Sequence, residues 1–253
     1  MATGIGVGIA GDVFQTKAGL GSGPAAFSNL YSMYFDGVSE YLEGSSVPLL
    51  GAGGTGDFSI SFWIYVDTVI SGSNQRVFAF GAGGTVQTQL YINSANGNLQ
   101  FNSSFNDNFA WGASDDTWYH LVYRVNRASV TDNVGFVQDG TIINNKSQAI
   151  ATIFDITGDF FMGRNAGSYA FDGNLDEFAV WDKYLTDADC IEIYNGGTPN
   201  DLSTLSMAAN LQHWWRMGDP TGTASYPTIV DQTGGITMTM TNMDSSNITT
   251  NVP

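Results

Sequence analysis

The chain has 253 residues, 43% of them hydrophobic, with 31 glycines, a composition that builds a packed core and excludes a disordered chain. It holds 24 acidic and 8 basic residues, a formal net charge of −16, which excludes the phosphate-neutralising surface of a nucleic-acid binder and disfavours an anionic membrane. One cysteine, Cys190, excludes an intrachain disulfide, and no run of about 18 apolar residues is present to enter a membrane.

Residues 1–30 read as an extended arm with seven glycines and two charges, Asp12 and Lys17. Such a segment cannot bury enough apolar surface to fold alone. Ile5, Val7, Ile9, Val13 and Phe14 would serve as anchors on another protein, with a floppy terminus as the alternative. Gly6, Gly8 and Gly11 match the letters of a dinucleotide fingerprint, but only five residues precede them and no helical period follows. The start has no basic region and no continuous apolar stretch, so no secretion signal is expected.

From Tyr31 onward the pattern has period two. Phe58, Ile60, Phe62, Ile64 and Val66 face one way, and Ser59, Ser61, Trp63 and Tyr65 the other. Further strands are predicted near 76–81, 88–93, 98–102, 117–126, 134–138, 158–163 and 171–182, separated by Gly, Asn and Asp turns. Many short strands at this spacing indicate an all-β, two-sheet antiparallel sandwich or jelly roll over 31–241. One short helix is predicted near 186–195, with Thr186 as N-cap, Asp189 closing a capping box, Leu185 and Cys190 as the staple, and Gly196 or Gly197 as the stop. Ile236, Met238 and Met240 alternate with threonines as one more strand, and 242–253 reads as a trailing end.

The motifs resemble the laminin-G-like, concanavalin A-like lectin and glucanase superfamily. Ser32–Leu42 is similar to its first strand, Asp57–Ile64 to its "dFSisfW" strand, Thr117–Val122 to its "W-x-H-l-v" strand and Phe171–Trp181 to its "f-x-G-x-l-D-e-v-x-v-w" strand. Gln212–Asp219 and Thr228–Gly235 resemble a segment that precedes the jelly roll in many members and here follows it. That order is similar to laminin-G-like virion proteins of tailed, particularly marine, phages. The resemblance implies a non-enzymatic structural protein of a virion, a capsid decoration, head fibre or tail component, made in a host cytoplasm. Its implied partners are other virion proteins, further copies of itself and host-surface glycans, with no nucleic acid and no membrane insertion. A carbohydrate-binding module is the rival reading and a glycoside hydrolase the third.

Related hydrolases place two carboxylates on a Glu-x-Asp-x-Glu strand to flank the sugar bond. Here the matching positions are Asn174, Asp176 and Phe178, and strand alternation turns Glu177 to the opposite face. His120 and His213 lie beside aromatics with no nucleophile motif and read as structural. The resemblance also implies a fold that often carries structural Ca²⁺. Asp36, Asp57, Asp115, Asp116 and Asp176 are the candidate hard-oxygen ligands, with a turn carboxylate making Asx-type bonds the stronger reading for each. Trp63, Trp118 and Trp181 sit in strong strand patterns and read as core. Trp111, in a loop, is the leading exposed aromatic for a glycan and Tyr169 the next, although a core or interface role is the stronger reading for both.

Overall fold

The computed structural model describes residues 1, 27–45, 56–82, 85–102, 106–148, 158–164 and 169–253. The apolar anchors Ile5, Val7, Ile9, Val13 and Phe14 lie outside these residues. In chain order the strands are β1 (Ser32–Asp36), β2 (Tyr41–Gly44), β3 (Phe58–Val66), β4 (Gln75–Ala82), β5 (Thr85–Ile92) and β6 (Leu99–Asn102). Then come β7 (Asn106–Phe109), β8 (Thr117–Val125), β9 (Val134–Gln138), β10 (Thr141–Lys146), β11 (Asp159–Met162) and β12 (Asp172–Trp181). Helix α1 (Asp187–Tyr194) precedes β13 (Leu211–Trp215), β14 (Thr228–Ile229), β15 (Met238–Thr241) and β16 (Ile248–Thr249).

The strands form two eight-stranded antiparallel sheets, as the periodicity predicts. The first runs β10-β9-β8-β3-β12-β1-β16, with β13 also paired to β12. The second runs β14-β15-β2-β11-β4-β5-β6-β7. Phe58, Ile60, Phe62, Ile64 and Val66 all enter the core between the sheets. That core is aromatic: Phe101 stacks on Tyr123 with centroids 3.8 Å apart, and Phe80 on Phe160 at 4.6 Å. Aromatic pairs of this kind add about 0.5–1.5 kcal/mol each beyond the area they bury.

The opposite side of β3 is not solvent-exposed where simple alternation would make it so. Ser59, Ser61 and Trp63 are buried. Helix α1 and the chain after it close a second, smaller core over Val122, Ala179, Trp181, Leu185, Cys190 and Trp214. The helix forms where the capping pattern places it. Thr186 accepts from the Asp189 N–H, Asp189 answers at the Thr186 N–H, and Asn195 at the C-cap adopts φ 49°. Leu185 and Cys190 are both fully buried at the staple positions.

Two chain segments depart from their sequence reading. The last residues of the expected arm, 27–30, are docked on the domain: the Leu30 N–H donates to Asp219 and the Phe27 ring stacks on Trp214. The expected trailing end contributes β16, which pairs Thr249 with Ser32 and Ile248 with Met33. Its signal is two residues long, too short for a periodic pattern to reveal.

Candidate functional site

The five candidate calcium ligands do not converge. Oδ1 of Asp36 accepts the N–H groups of Val38, Ser39 and Glu40 in its own turn. Asp57 accepts the Arg127 N–H at 2.6 Å, Asp115 the Val69 N–H at 2.7 Å, and Asp116 the Tyr65 hydroxyl at 3.1 Å. Asp176 is fully buried elsewhere, bound by Asn29 Nδ2 at 2.9 Å. Among the described residues no group of three or more His, Cys, Asp or Glu is arranged to hold a metal ion. Asp36 makes an Asx-type turn, and Asp57, Asp115 and Asp116 tie loops or strands together.

Trp111 is not an exposed platform. It is 5% exposed, belongs to the main core and donates Nε1–H to the Gly97 carbonyl at 2.7 Å. A loop tryptophan can be core when its one polar atom finds a backbone acceptor, and that partner lies 14 residues away. Tyr169 is exposed, with the Arg76 guanidinium over its ring at 5.1 Å. Trp63 and Trp181 are buried as expected, whereas Trp118 is half-buried beside Tyr65 and donates to Asn251.

Burial and hydrogen bonding shift several titratable groups. His120 packs against Trp63 and Tyr194, and complete burial pushes it down to about 3, so it stays neutral. Burial pushes the Cys190 thiol up to about 12, which leaves it unreactive. His213 pairs with Asp231 at 2.6 Å and stacks on Trp215. Burial would raise Asp231, but hydrogen bonds from His213 and from the N–H groups of Trp214, Thr233 and Ile236 outweigh it and hold it at about 2.

Glu177 lies on the same side as Asp176, not opposite. A bulge causes this: three steps along β12, from Asp176 to Ala179, face only two along β3, from Trp63 to Ser61. Glu177 sits at φ 47° within the bulge. The bulge falls where β12 changes neighbour, from β1 at Leu175 to β13 at Phe178. Arg216 fills that junction. Its Nε binds Glu177 at 3.0 Å and its Nη2 binds the Ser28 carbonyl at 2.6 Å, with Asp219 at 3.6 Å. Trp214 Nε1 also donates to Glu177. Burial raises Glu177 to about 7, with Arg216 opposing the rise. Both carboxylates lie beneath the Phe27–Leu30 strap and are already bonded, so the pair is not presented to a sugar.

The outward face of the second sheet is different. Cross-strand pairing aligns Thr239, Glu43, Phe161, Ala79, Gln89, Asn102 and Asn106 in one continuous row from β15 to β7. A parallel row sets Arg76, Tyr91, Gln100 and Asn108 side by side. The intervening residues Leu90, Ile92, Leu99, Phe101 and Phe109 enter the core, so every amide and ring here points outward. Ala79, at the middle of the row, is fully buried, and its half-buried cross-strand neighbours are Phe161 and Gln89. Phe161 and Tyr41 form an aromatic pair at 6.1 Å, and both are half-buried. The alternation of amides and Tyr91 with apolar residues over 89–92 and 99–102 was a local signal for this face. Its assembly across strands was not.

One further concavity, about 510 Å³, lies among loops and is lined by Val69, Ile70, Asn96, Asn98 and Asp115. The Gly97 carbonyl in its wall is already taken by Trp111.

Residues 36–190 match the family model described as the concanavalin A-like lectin/glucanases superfamily, Laminin_G_3. The chain belongs to this superfamily. Its structure is similar to that of a proposed carbohydrate-binding protein from Bacteroides ovatus, with TM-score 0.63 and 18% identity over 90% of this chain. The match spans 62% of the length of that protein. It is also similar to a heptameric SAP-like pentraxin from Limulus polyphemus, with TM-score 0.53 and 14% identity over 85% of this chain and 97% of the other. No curated protein sequence matches the chain. At these identities the two structures establish the fold.

Proposed function

We propose that the chain is a non-catalytic carbohydrate-binding module that takes its ligand on the outward face of the second sheet. The observation that carries this reading is the register-aligned row Phe161, Ala79, Gln89, Asn102 and Asn106 with Tyr91 and Gln100 beside it. Aromatic rings cover the C–H faces of a sugar ring, and planar amides exchange hydrogen bonds with its hydroxyls. Membership of a lectin and glucanase superfamily and the likeness to the Bacteroides ovatus protein support the same reading. The buried, bonded state of Asp176 and Glu177 supports binding without hydrolysis. A structural place in a virion would be compatible with glycan adhesion, but its support is the order of the Gln212–Asp219 block and the arm, whose anchors lie outside the described residues. A glycan array probed with the purified chain tests the proposal. Retention of at least one carbohydrate is expected, with no reducing sugar released. An array without signal rejects binding, and steady sugar release rejects the non-catalytic assignment.

A further inference from the structure

The charge and hydrogen-bond pattern of the second-sheet face narrows its ligand. Arg76 is the cation in the two rows described, and it is 4% exposed. Its Nε is held by Gln89 Oε1 at 2.6 Å and its guanidinium lies over Tyr169. It therefore positions Gln89 from below and is not presented to an anion. Lys146, at the β7 end, is held by the Asn108 carbonyl at 2.7 Å and lies 3.6 Å from the buried carboxylate of Asp107. Glu43 is half-buried on the same face. The chain as a whole carries −16, so a polyanion is repelled both locally and at long range.

The amides are also oriented. Gln89 Oε1 is occupied by Arg76, and Gln100 Oε1 accepts Asn93 Nδ2 at 2.9 Å. Their NH₂ groups are left as donors. Asn102 Nδ2 donates to the Tyr91 oxygen at 3.3 Å, which leaves the Tyr91 proton to point outward as a third donor. Uncharged donors of this kind match the hydroxyl and ring oxygens of a neutral sugar and do not neutralise a carboxylate or sulfate. The row from Phe161 to Asn106 crosses four strand gaps, a span of about 19 Å at the usual spacing between strands. That length suits an extended chain of several sugars better than a single terminal residue.

We infer that this face binds an uncharged, extended polysaccharide chain laid across β11, β4, β5, β6 and β7. Phe161 carries the stacking contact, and Gln89, Tyr91 and Gln100 donate the hydrogen bonds. The inference rests on the carbohydrate-binding reading above and adds the ligand class, the contact residues and the requirement for length.

The test is calorimetric titration of the full chain with four neutral series, the gluco-, xylo-, manno- and galacto-oligosaccharides from two to six sugars. Polygalacturonate and alginate serve as anionic probes. Binding to at least one neutral series is expected, strengthening about tenfold or more from disaccharide to hexasaccharide, with weaker or absent binding to both polyanions. Phe161→Ala and Gln89→Ala are each expected to weaken hexasaccharide binding about tenfold, while Ile191→Ala, at an exposed position of helix α1, leaves it unchanged. Melting curves identify any variant that fails to fold, and the remaining one then decides. A preference for the polyanions, equal affinity for two and six sugars, or wild-type binding by both face variants overturns this inference and leaves the carbohydrate reading standing. No binding to any probe together with an empty glycan array overturns both.

Discussion

Replacing Arg216 with Met tests the account of the β1–β13 junction. Arg216 is 8% exposed and faces two carboxylates, Glu177 at 3.0 Å and Asp219 at 3.6 Å. It also holds the Ser28 carbonyl and covers the Phe27 ring at 4.2 Å. Removing one partner of a buried ion pair leaves the other charged and poorly solvated, which destabilises by about 3–5 kcal/mol. For a chain of this size that lowers the melting temperature by about 6–20 °C.

The loss should depend on pH. Glu177 is held at about 7, above its ordinary 4.5, because burial penalises its charge and Arg216 only partly offsets that. Without Arg216 the folded value rises further. A carboxyl that titrates higher in the folded than the unfolded chain binds more protons when folded between those two values. Stability therefore rises as pH falls through that window, and the deficit of Arg216→Met should shrink from pH 8 to pH 5. Adding Glu177→Gln to the Met variant removes the stranded charge and should restore about 1–3 kcal/mol. Urea unfolding of wild type, both single variants and the double variant at the two pH values measures all of this. A loss below about 1 kcal/mol, with no pH dependence and simple additivity, would refute the buried-pair reasoning.

The remaining predictions concern the core, the His213–Asp231 contact and calcium. Trp111→Ala should lower stability by about 3–5 kcal/mol as a core truncation while leaving glycan affinity at its wild-type value in the same titrations. Asp231 is held at about 2, below its ordinary 3.8, so the stability it contributes is present above 3.8 and lost as pH falls towards 2. Asp231→Asn should thus flatten the acid decline of the melting temperature over that interval, and an unaltered acid limb would speak against the His213–Asp231 tie. Excess chelator should leave the melting curve in place, because the candidate ligands Asp36, Asp57 and Asp115 are already bound by backbone N–H groups. A ligand bound only by the folded chain at about 100 times its dissociation constant contributes roughly 2.7 kcal/mol, so a downward shift would reveal a bound ion.

What was legible in the sequence was local. The five inward residues of β3 announce themselves by alternation, and Thr186 with Asp189 announces the helix, because both signals fit within ten residues. Gly173 in the Phe171–Trp181 motif has an equally local signature and a non-local reason. Its φ is 143°, and a Cβ there would stand 2.1 Å from the Tyr65 carbonyl oxygen. The misses have the same cause. Period two assigns Glu177 to the wrong side because a bulge appears only when β12 meets both β1 and β13. For Trp111 the core role is the stronger reading, but the acceptor that makes it possible, the Gly97 carbonyl, shows only in the fold. The proposed ligand face escapes a residue-by-residue reading because it is made by register. Gln89 meets Asn102 across one ladder and Ala79 across the next, and neither pairing is encoded in the residues themselves.

The most direct test of the central claim is to map a bound neutral hexasaccharide onto the chain by amide chemical-shift titration. Shifts that follow saturation and cluster at β4, β5, β6 and β11, centred on Ala79, Gln89, Tyr91 and Phe161, are the predicted result. Saturable shifts confined to the loop concavity around Ile70, Asn96 and Asp115, with the second sheet silent, would contradict it.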